Sequence, residues 1–391
     1  MALQMSGELK RDLVSSFNAN LILPLYSVFL PLLAYALNAS AFEVGLVGGA
    51  ANAVYCFMPF VMGRFADSAN VRRFFVTTSF VLLSIISISY IYVQNPVTLI
   101  VMRIFEGVGW AMLWPAIEAV IRDSTTDARR ALSIFNFTWS GSATVGPLIG
   151  SAIVFVSSIR EAFVVSSAVM IVTLLVNLAP LAMRRGTDVV IVRTTPISDH
   201  VQTPRYGARL YVPSMIVGAI SVGVLYTFLP EYAKSIHISI LLVGAATFIF
   251  GFTRFLVYVL MVCERFRSSL LHSKYRARNV VISLIVLSLS SLLMLVRDPS
   301  GLLYIVSYGV GGACYSVVYA VSQASVIAEA EPDKVGRSAG KFESSIGIGQ
   351  ALGPIMGGAI AMGSYSTPYI VPSLSLVVFL IVLPFLVRRR R

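Results

Sequence analysis

Gly146-Pro147-Leu148-Ile149-Gly150 and Gly353-Pro354-Ile355-Met356-Gly357 are one pattern, Gly-Pro-x-x-Gly, repeated 207 residues apart in a chain of 391. Each copy lies inside a long apolar segment, and the flanks match at the same offset, Arg130 with Arg337 and Phe135 with Phe342. A second echo sets Gly107-Val108-Gly109-Trp110-Ala111 against Gly309-Val310-Gly311-Gly312-Ala313, at an offset of 202. A chain that repeats itself at half its length is expected to build two matched bundles, and in a membrane such pairs usually move something between them.

Composition puts the chain in a membrane. It is 57% hydrophobic and 12% charged, with a mean hydropathy of +0.82. A soluble domain carries about 25% charged residues, so this surface is expected to face lipid. The net charge of +12 would suit nucleic acid, but Lys and Arg fall in alternate short loops and form no continuous patch, so no nucleic-acid partner is expected. Cys56, Cys263 and Cys314 sit in apolar segments without disulfide or metal spacing, and His200, His237 and His272 are scattered in or near loops. No metal and no cofactor are expected. The first apolar segment is long and lacks a small-residue cleavage site, so no cleavable leader is read.

A spanning helix needs about 20 mostly apolar residues. Twelve spans are expected, over 14–37, 43–64, 74–93, 97–121, 131–157, 161–183, 210–232, 239–263, 279–296, 301–328, 340–363 and 367–387. The polar stretch from Arg184 to Arg209 reads as a cytoplasmic linker, leaving residues 1–183 as an N-terminal six-helix bundle and 210–391 as a C-terminal one with a basic tail. Of the 30 Lys and Arg residues, 25 fall on one side, Arg160, Lys234 and Arg297 on the other, and Arg103 and Arg254 within spans. Positive charge stays in the cytoplasm, so a multi-pass protein of the cell membrane with both termini cytoplasmic is expected. Both Gly-Pro copies then run from the cytoplasm outward, as parallel repeats do. The fold class is an all-α membrane protein of twelve transmembrane helices in two parallel six-helix repeats.

This arrangement resembles the major facilitator superfamily, and three local patterns carry the resemblance. Gly63-Arg64-Phe65-Ala66-Asp67, followed by Arg72-Arg73, is similar to the family's Gly-x-x-x-Asp loop after the second span, with the basic pair displaced and a second glycine missing. Arg103-Ile104-Phe105-Glu106-Gly107-Val108-Gly109-Trp110-Ala111 in the fourth span resembles its Arg-x-x-(Gln/Glu)-Gly-x-Gly-x-Ala segment. Gly146-Pro147 and Gly150 in the fifth resemble the Gly-Pro motif of the antiporter branch, with Ser151 in place of the last glycine. The resemblance implies secondary transport by alternating access. Its antiporter branch implies proton-coupled multidrug efflux, with a small-molecule substrate and protons as partners alongside the lipid bilayer. A monomer is expected.

Several residues carry candidate chemistry. In the fourth span Arg103, Glu106, Trp110, Trp114 and Glu118 fall on one face about 120° wide. A charge near the bilayer centre costs about 2.5–3.5 kcal/mol, so this face is expected to line a wet cavity. Glu106 is either one half of an ion pair with Arg103 that braces the bundle or, like Glu118, a proton-coupling carboxylate. On the tenth span Tyr304, Tyr308, Tyr315 and Tyr319 lie within about 60° of arc and form either packing or a substrate-cavity wall. Arg254, inside the eighth span, is a candidate for an anionic substrate group or a carboxylate partner. Asn18, Asn20, Tyr26, Asn52 and Tyr55 are weaker polar candidates.

The expected conformational gate comprises Gly63, Asp67, Gly146, Pro147, Gly150, Gly353, Pro354 and Gly357. Glycines spaced by four let helices approach closely and prolines kink them, which is either tight packing or a flexing seam between the halves. Asp67 is either a solvated loop charge or a cap on a positive helix N-terminus; the resemblance suggests the eleventh span, starting near Gly340, as that helix. No Gly-x-x-x-x-Gly-Lys-Ser/Thr sequence occurs, so direct ATP use is unsupported. No polar catalytic cluster argues for an enzyme. A proton-coupled importer of an organic anion, or a non-transporting receptor or scaffold, remains a distinct alternative to an exporter.

Overall fold

The computed structural model describes residues 7–39, 41–124, 127–183, 208–237, 240–360 and 366–387. Most of the expected linker, 184–207, and the Arg388–Arg391 tail lie outside them. The described helices are α1 (Gly7–Ala36), α2 (Ala41–Tyr55), α3 (Met58–Phe65), α4 (Ala69–Tyr92), α5 (Pro96–Asp123), α6 (Ala128–Val156), α7 (Ile159–Met183), α8 (Ala208–Ser235), α9 (Ile240–Val262), α10 (Glu264–Leu271), α11 (Arg276–Leu292), α12 (Leu302–Gln323), α13 (Val335–Ile360) and α14 (Val371–Val387). Each of the twelve spans coincides with one of these, except that the second is broken into α2 and α3. Pro59 sits in the first turn of α3, where a missing N–H costs least. The short polar helix α10 is not a span. Among the described residues, eight helices are long and apolar enough to cross a membrane by length and composition, those of spans 3, 4, 6, 7, 8, 9, 10 and 12.

The chain divides into two compact units. One comprises residues 1–201 with 331–343, and the other 202–330 with 344–391. The first nine residues of α13 therefore belong with the N-terminal unit and the rest of that helix with the C-terminal one. Within the first unit α5 packs against α2 and α4, α1 against α6 and α7, and α4 against α7. Within the second, α12 packs against α9 and α11, α8 against α14, and α11 against α14. The four pairings of the second unit are four of the first unit's five shifted by six spans, as a parallel repeat requires. The charge pattern repeats too. Arg72 at the start of α4 pairs with Asp123 at the end of α5, and Arg276 at the start of α11 pairs with Glu329 just beyond α12. Each pair ties the start of one helix to the end of the next, at the end of the hairpin opposite its loop.

Both units hold many polar groups among their apolar ones, and these are bonded internally. Ser79, Ser166, Ser167, Ser214 and Ser221 each donate to the carbonyl four residues back. Asn177 on α7 donates to Ser15 Oγ on α1 at 2.8 Å, and Asn18 on α1 to Thr173 on α7 at 2.8 Å. With no water in a bilayer core, such groups must find partners inside the protein.

Candidate functional site

Helix α5 starts with Asn95 accepting from the backbone N–H of Thr98 at 2.8 Å, a side-chain cap that fixes its first turn. Two turns on, the glycine of Glu106-Gly107 makes room for α2: a Cβ on Gly107 would stand 2.7 Å from the carbonyl oxygen of Ala51. That approach brings α2's backbone beside Arg103, whose Nε donates to the Val47 carbonyl at 2.9 Å. Arg103 Nη1 lies 2.6 Å from Glu106 Oε2, one turn along the same helix. Tyr90 of α4 donates to Glu106 Oε2, and Trp110 Nε1 to Oε1 at 2.8 Å. Glu106 is fully buried and Arg103 nearly so. A buried carboxylate thus has a cation and two neutral donors, which is the satisfaction a buried charge demands.

Around this cluster the aromatics close ranks. Tyr26 of α1 meets Tyr90 edge-on at 5.5 Å and shares a hydrogen bond with Ser87. Phe163 of α7 packs on Tyr90 at 5.1 Å. Trp110 and Trp114 stack with centroids 5.8 Å apart and planes 7° from parallel. All five expected residues on this face are buried. The face is built into the N-terminal unit's own core, with Trp110 and Trp114 inside its apolar cluster.

Further along α5, Glu118 is also fully buried. Glu343 on α13 is buried as well, and Tyr55 at the end of α2 donates to its Oε2. Glu343 was not among the expected site residues. The signal was present: it is an acid inside an expected span, the condition that singled out Glu106 and Glu118.

Asp67 lies at the start of α13. Its Oδ1 accepts from the backbone N–H of Arg337 at 2.8 Å, and its Oδ2 lies 3.4 Å from Arg337 Nε. Gly63 and Gly340 make this possible. A Cβ on Gly63 would be 2.7 Å from Gly340 Cα, and one on Gly340 2.2 Å from the Pro59 carbonyl oxygen. Asp67→Ala removes a side-chain cap and an ion pair at once, and should cost about 1 kcal/mol, read as a lower melting temperature in detergent.

The later glycines of α13 approach α8 closely. A Cβ on Gly353 would stand 2.5 Å from the Ile220 carbonyl oxygen, and one on Gly357 2.4 Å from the Phe228 ring; Pro354 Cδ would lie 3.0 Å from a Cβ on Gly223. All these neighbours are on α8, in the same unit. At Gly353 the approach is backbone to backbone: no residue larger than glycine leaves α8 that close. In α6, Gly146 is buried; Pro147 and Gly150 are helical, with their side chains outside the described residues.

In the C-terminal unit the four tyrosines divide. Tyr304 donates to the Val296 carbonyl at 3.1 Å and accepts from Asp298 N–H at 3.0 Å, and Tyr308 donates to the Leu225 carbonyl. These two hydroxyls serve the unit's own framework. Tyr315 and Tyr319 stand 6.0 Å apart, with Phe250 6.2 Å from Tyr315 and Tyr258 6.3 Å from Tyr319. Half-buried Arg254 of α9 belongs to this aromatic group, its guanidinium carbon 5.9 Å from the Phe250 ring centre.

The sequence profile of the Major Facilitator Superfamily matches residues 13–262 and 211–391. Multidrug resistance protein MdtL of Vibrio parahaemolyticus is 28% identical over 238 residues, 56% of each chain. An uncharacterized MFS-type transporter, YhjO of Bacillus subtilis, is 27% identical over 96 residues, 24% of each. The chain thus matches about half the length of the first relative and a quarter of the second. Among solved structures, the human organic anion transporter MFSD10 is similar with a TM-score of 0.66 at 16% identity, over 97% of this chain and 98% of that one. The transporter FucP, in the outward conformation, is similar with a TM-score of 0.69 at 13% identity, over 98% and 99%. At these identities the likeness is one of fold.

Proposed function

The chain belongs to the Major Facilitator Superfamily, and from that premise we propose that this multi-pass transporter exports small amphipathic compounds in exchange for protons. The charge asymmetry of the sequence supports a cell-membrane location with both termini cytoplasmic. The MdtL relative supports efflux of this kind. The observation that carries the coupling is that α5 buries two carboxyl groups, Glu106 and Glu118, inside a spanning helix. An intramembrane acid is a functional site by default.

The two acids take different parts. Glu106 is committed to Arg103, Tyr90 and Trp110, which suits a fixed brace for α1, α2, α4 and α5. Glu118, buried further along the same helix, is the group proposed to take up and release a proton. The Arg254–Phe250–Tyr315 group is the aromatic surface proposed to receive the flat part of a substrate. The gate residues Gly63 and Asp67 are proposed to hold the first turns of α13 in one state and release them in the other.

Wild type and Glu118→Gln, reconstituted in proteoliposomes with ethidium as probe, test this assignment. Glu118→Gln should keep ethidium exchange at equal pH and lose the response to an imposed pH gradient. A variant that answers the gradient as wild type does would remove Glu118 from coupling. Arg254 among aromatic rings favours a second reading, transport of an aromatic carboxylate. Gradient-driven movement of salicylate without movement of ethidium would select it.

A further inference from the structure

We infer that the corner joining α9 to α11, residues 263–278, binds the phosphate headgroup of an anionic phospholipid. The site is independent of the cargo and of the coupling ion.

Five Lys and Arg residues stand against one acid, Glu264, over this stretch. Two of the five are turned inward: Arg267 is buried, and Arg276 is buried against Glu329. Arg265, Lys274 and Arg278 are exposed, and among the described residues none of the three forms an ion pair. The matching corner of the first unit is balanced, with Arg72 paired to Asp123 and Arg73 to Asp12. The second corner therefore carries cations that the protein itself does not neutralise.

Sidedness alone asks only for positive charge on one side of the membrane. It does not ask for a fixed arrangement, and this charge is fixed. Arg267 and Leu271 bury one side of α10, which packs against α9, α11 and α12. Asn279 of α11 donates to the Leu270 carbonyl at 3.2 Å and closes the corner. The half-buried Tyr275 ring organises the cations. Arg278 Cζ lies 4.7 Å and Lys274 Nζ 5.3 Å from its centre, and the His272 ring 5.5 Å. The backbone N–H of Lys274 donates to His272 Nδ1 at 3.2 Å, which leaves Nε2 of this exposed imidazole as a further donor. Cations held on a ring lose less freedom when an anion arrives.

The place in the fold names the anion. The apolar stretch of α9 ends at Val262 and that of α11 begins at Arg276, so residues 263–275 turn the chain within the headgroup layer. Phospholipid phosphates are the anions at that depth, and a tyrosine ring suits the same layer. A guanidinium can grip a phosphate through two parallel N–H bonds, and a lysine adds a point charge. Basic residues beside a span attract anionic lipids. The bound headgroup ties the α9–α11 corner to its leaflet.

Native mass spectrometry of the full-length protein in neutral detergent, titrated with phosphatidylglycerol or phosphatidylcholine, gives the affinity of the first lipid bound. Wild type should bind phosphatidylglycerol about tenfold or more tighter than phosphatidylcholine. The triple variant Arg265→Gln, Lys274→Gln, Arg278→Gln should bind the two alike. Tyr275→Ala keeps every charge and should weaken phosphatidylglycerol about two- to fivefold, through loss of the ring that positions the cations. Arg160→Gln with Arg297→Gln, exposed arginines elsewhere, should leave the preference intact. Soluble glycerol 3-phosphate at the lipid's concentration should not compete. No preference in wild type, a preference that survives the triple variant, or an equal loss in the Arg160 and Arg297 control overturns the assignment. Displacement by glycerol 3-phosphate overturns it in favour of a site for a free phosphate ester.

Discussion

Arg103→Met is expected to destabilise the N-terminal unit by about 3–5 kcal/mol, the cost of leaving one member of a buried ion pair without its partner. Glu106 would keep Tyr90 and Trp110, two neutral donors that cannot replace a cation 2.6 Å away. The loss also frees the Val47 carbonyl, which accepts from Arg103 Nε, so α2 and α5 would lose a tie as well as a charge. Glu106→Gln also leaves a buried cation unpaired, and its one amide oxygen can accept from Trp110 or from Tyr90 where the carboxylate accepts from both. The combination Arg103→Met with Glu106→Gln should then be more stable than Arg103→Met alone. Chemical denaturation in detergent across this double-mutant cycle measures the coupling. Additive losses would mean that the pair does not act as the brace its geometry describes.

Gly353→Leu is expected to be strongly disruptive, while Gly358→Leu, five residues away, should be close to neutral. An added Cβ at 353 would stand 2.5 Å from the Ile220 carbonyl oxygen and 3.2 Å from its Cα, both main-chain atoms, whereas nothing lies within 4 Å of one at 358. A flexible side chain can swing aside from a new methyl group, but a helix backbone moves only as a body, so α8 and α13 must separate. Overpacking of this kind costs about 1–3 kcal/mol, and more where nothing can yield. Melting temperature and folded yield in detergent compare the two variants directly. Equal behaviour would show that α13 does not seat on α8 through Gly353.

The architecture was legible because it rests on counts that survive without coordinates. Apolar lengths marked the spans, the sidedness of Lys and Arg marked their alternation, and the two Gly-Pro copies marked the repeat. The Arg103–Glu106 pair was legible for a similar reason, since three residues along a helix is a fixed distance. What escaped lies in encounters between distant segments. The break of the second span at Cys56–Phe57 reads in sequence as uninterrupted apolar character. The partner of the α13 glycines could not be named because α8 is far off in the chain. Tyr55 and Glu343 come from two helices far apart in the chain, and only their packing brings them together. Tyr304 and Tyr308 show the converse: their spacing on α12 suggested one wall, yet their hydroxyls go to Val296, Asp298 and Leu225.

The proposed coupling, taken with the buried acids of α5, makes a claim about direction that one experiment reaches. Wild-type protein is reconstituted with a pH-sensitive dye trapped in the lumen, and ethidium is supplied outside with no gradient imposed. Proton exchange predicts that ethidium entry is accompanied by proton exit, so the lumen turns alkaline as the probe accumulates. Ethidium entry at constant luminal pH, or with acidification, would contradict the account.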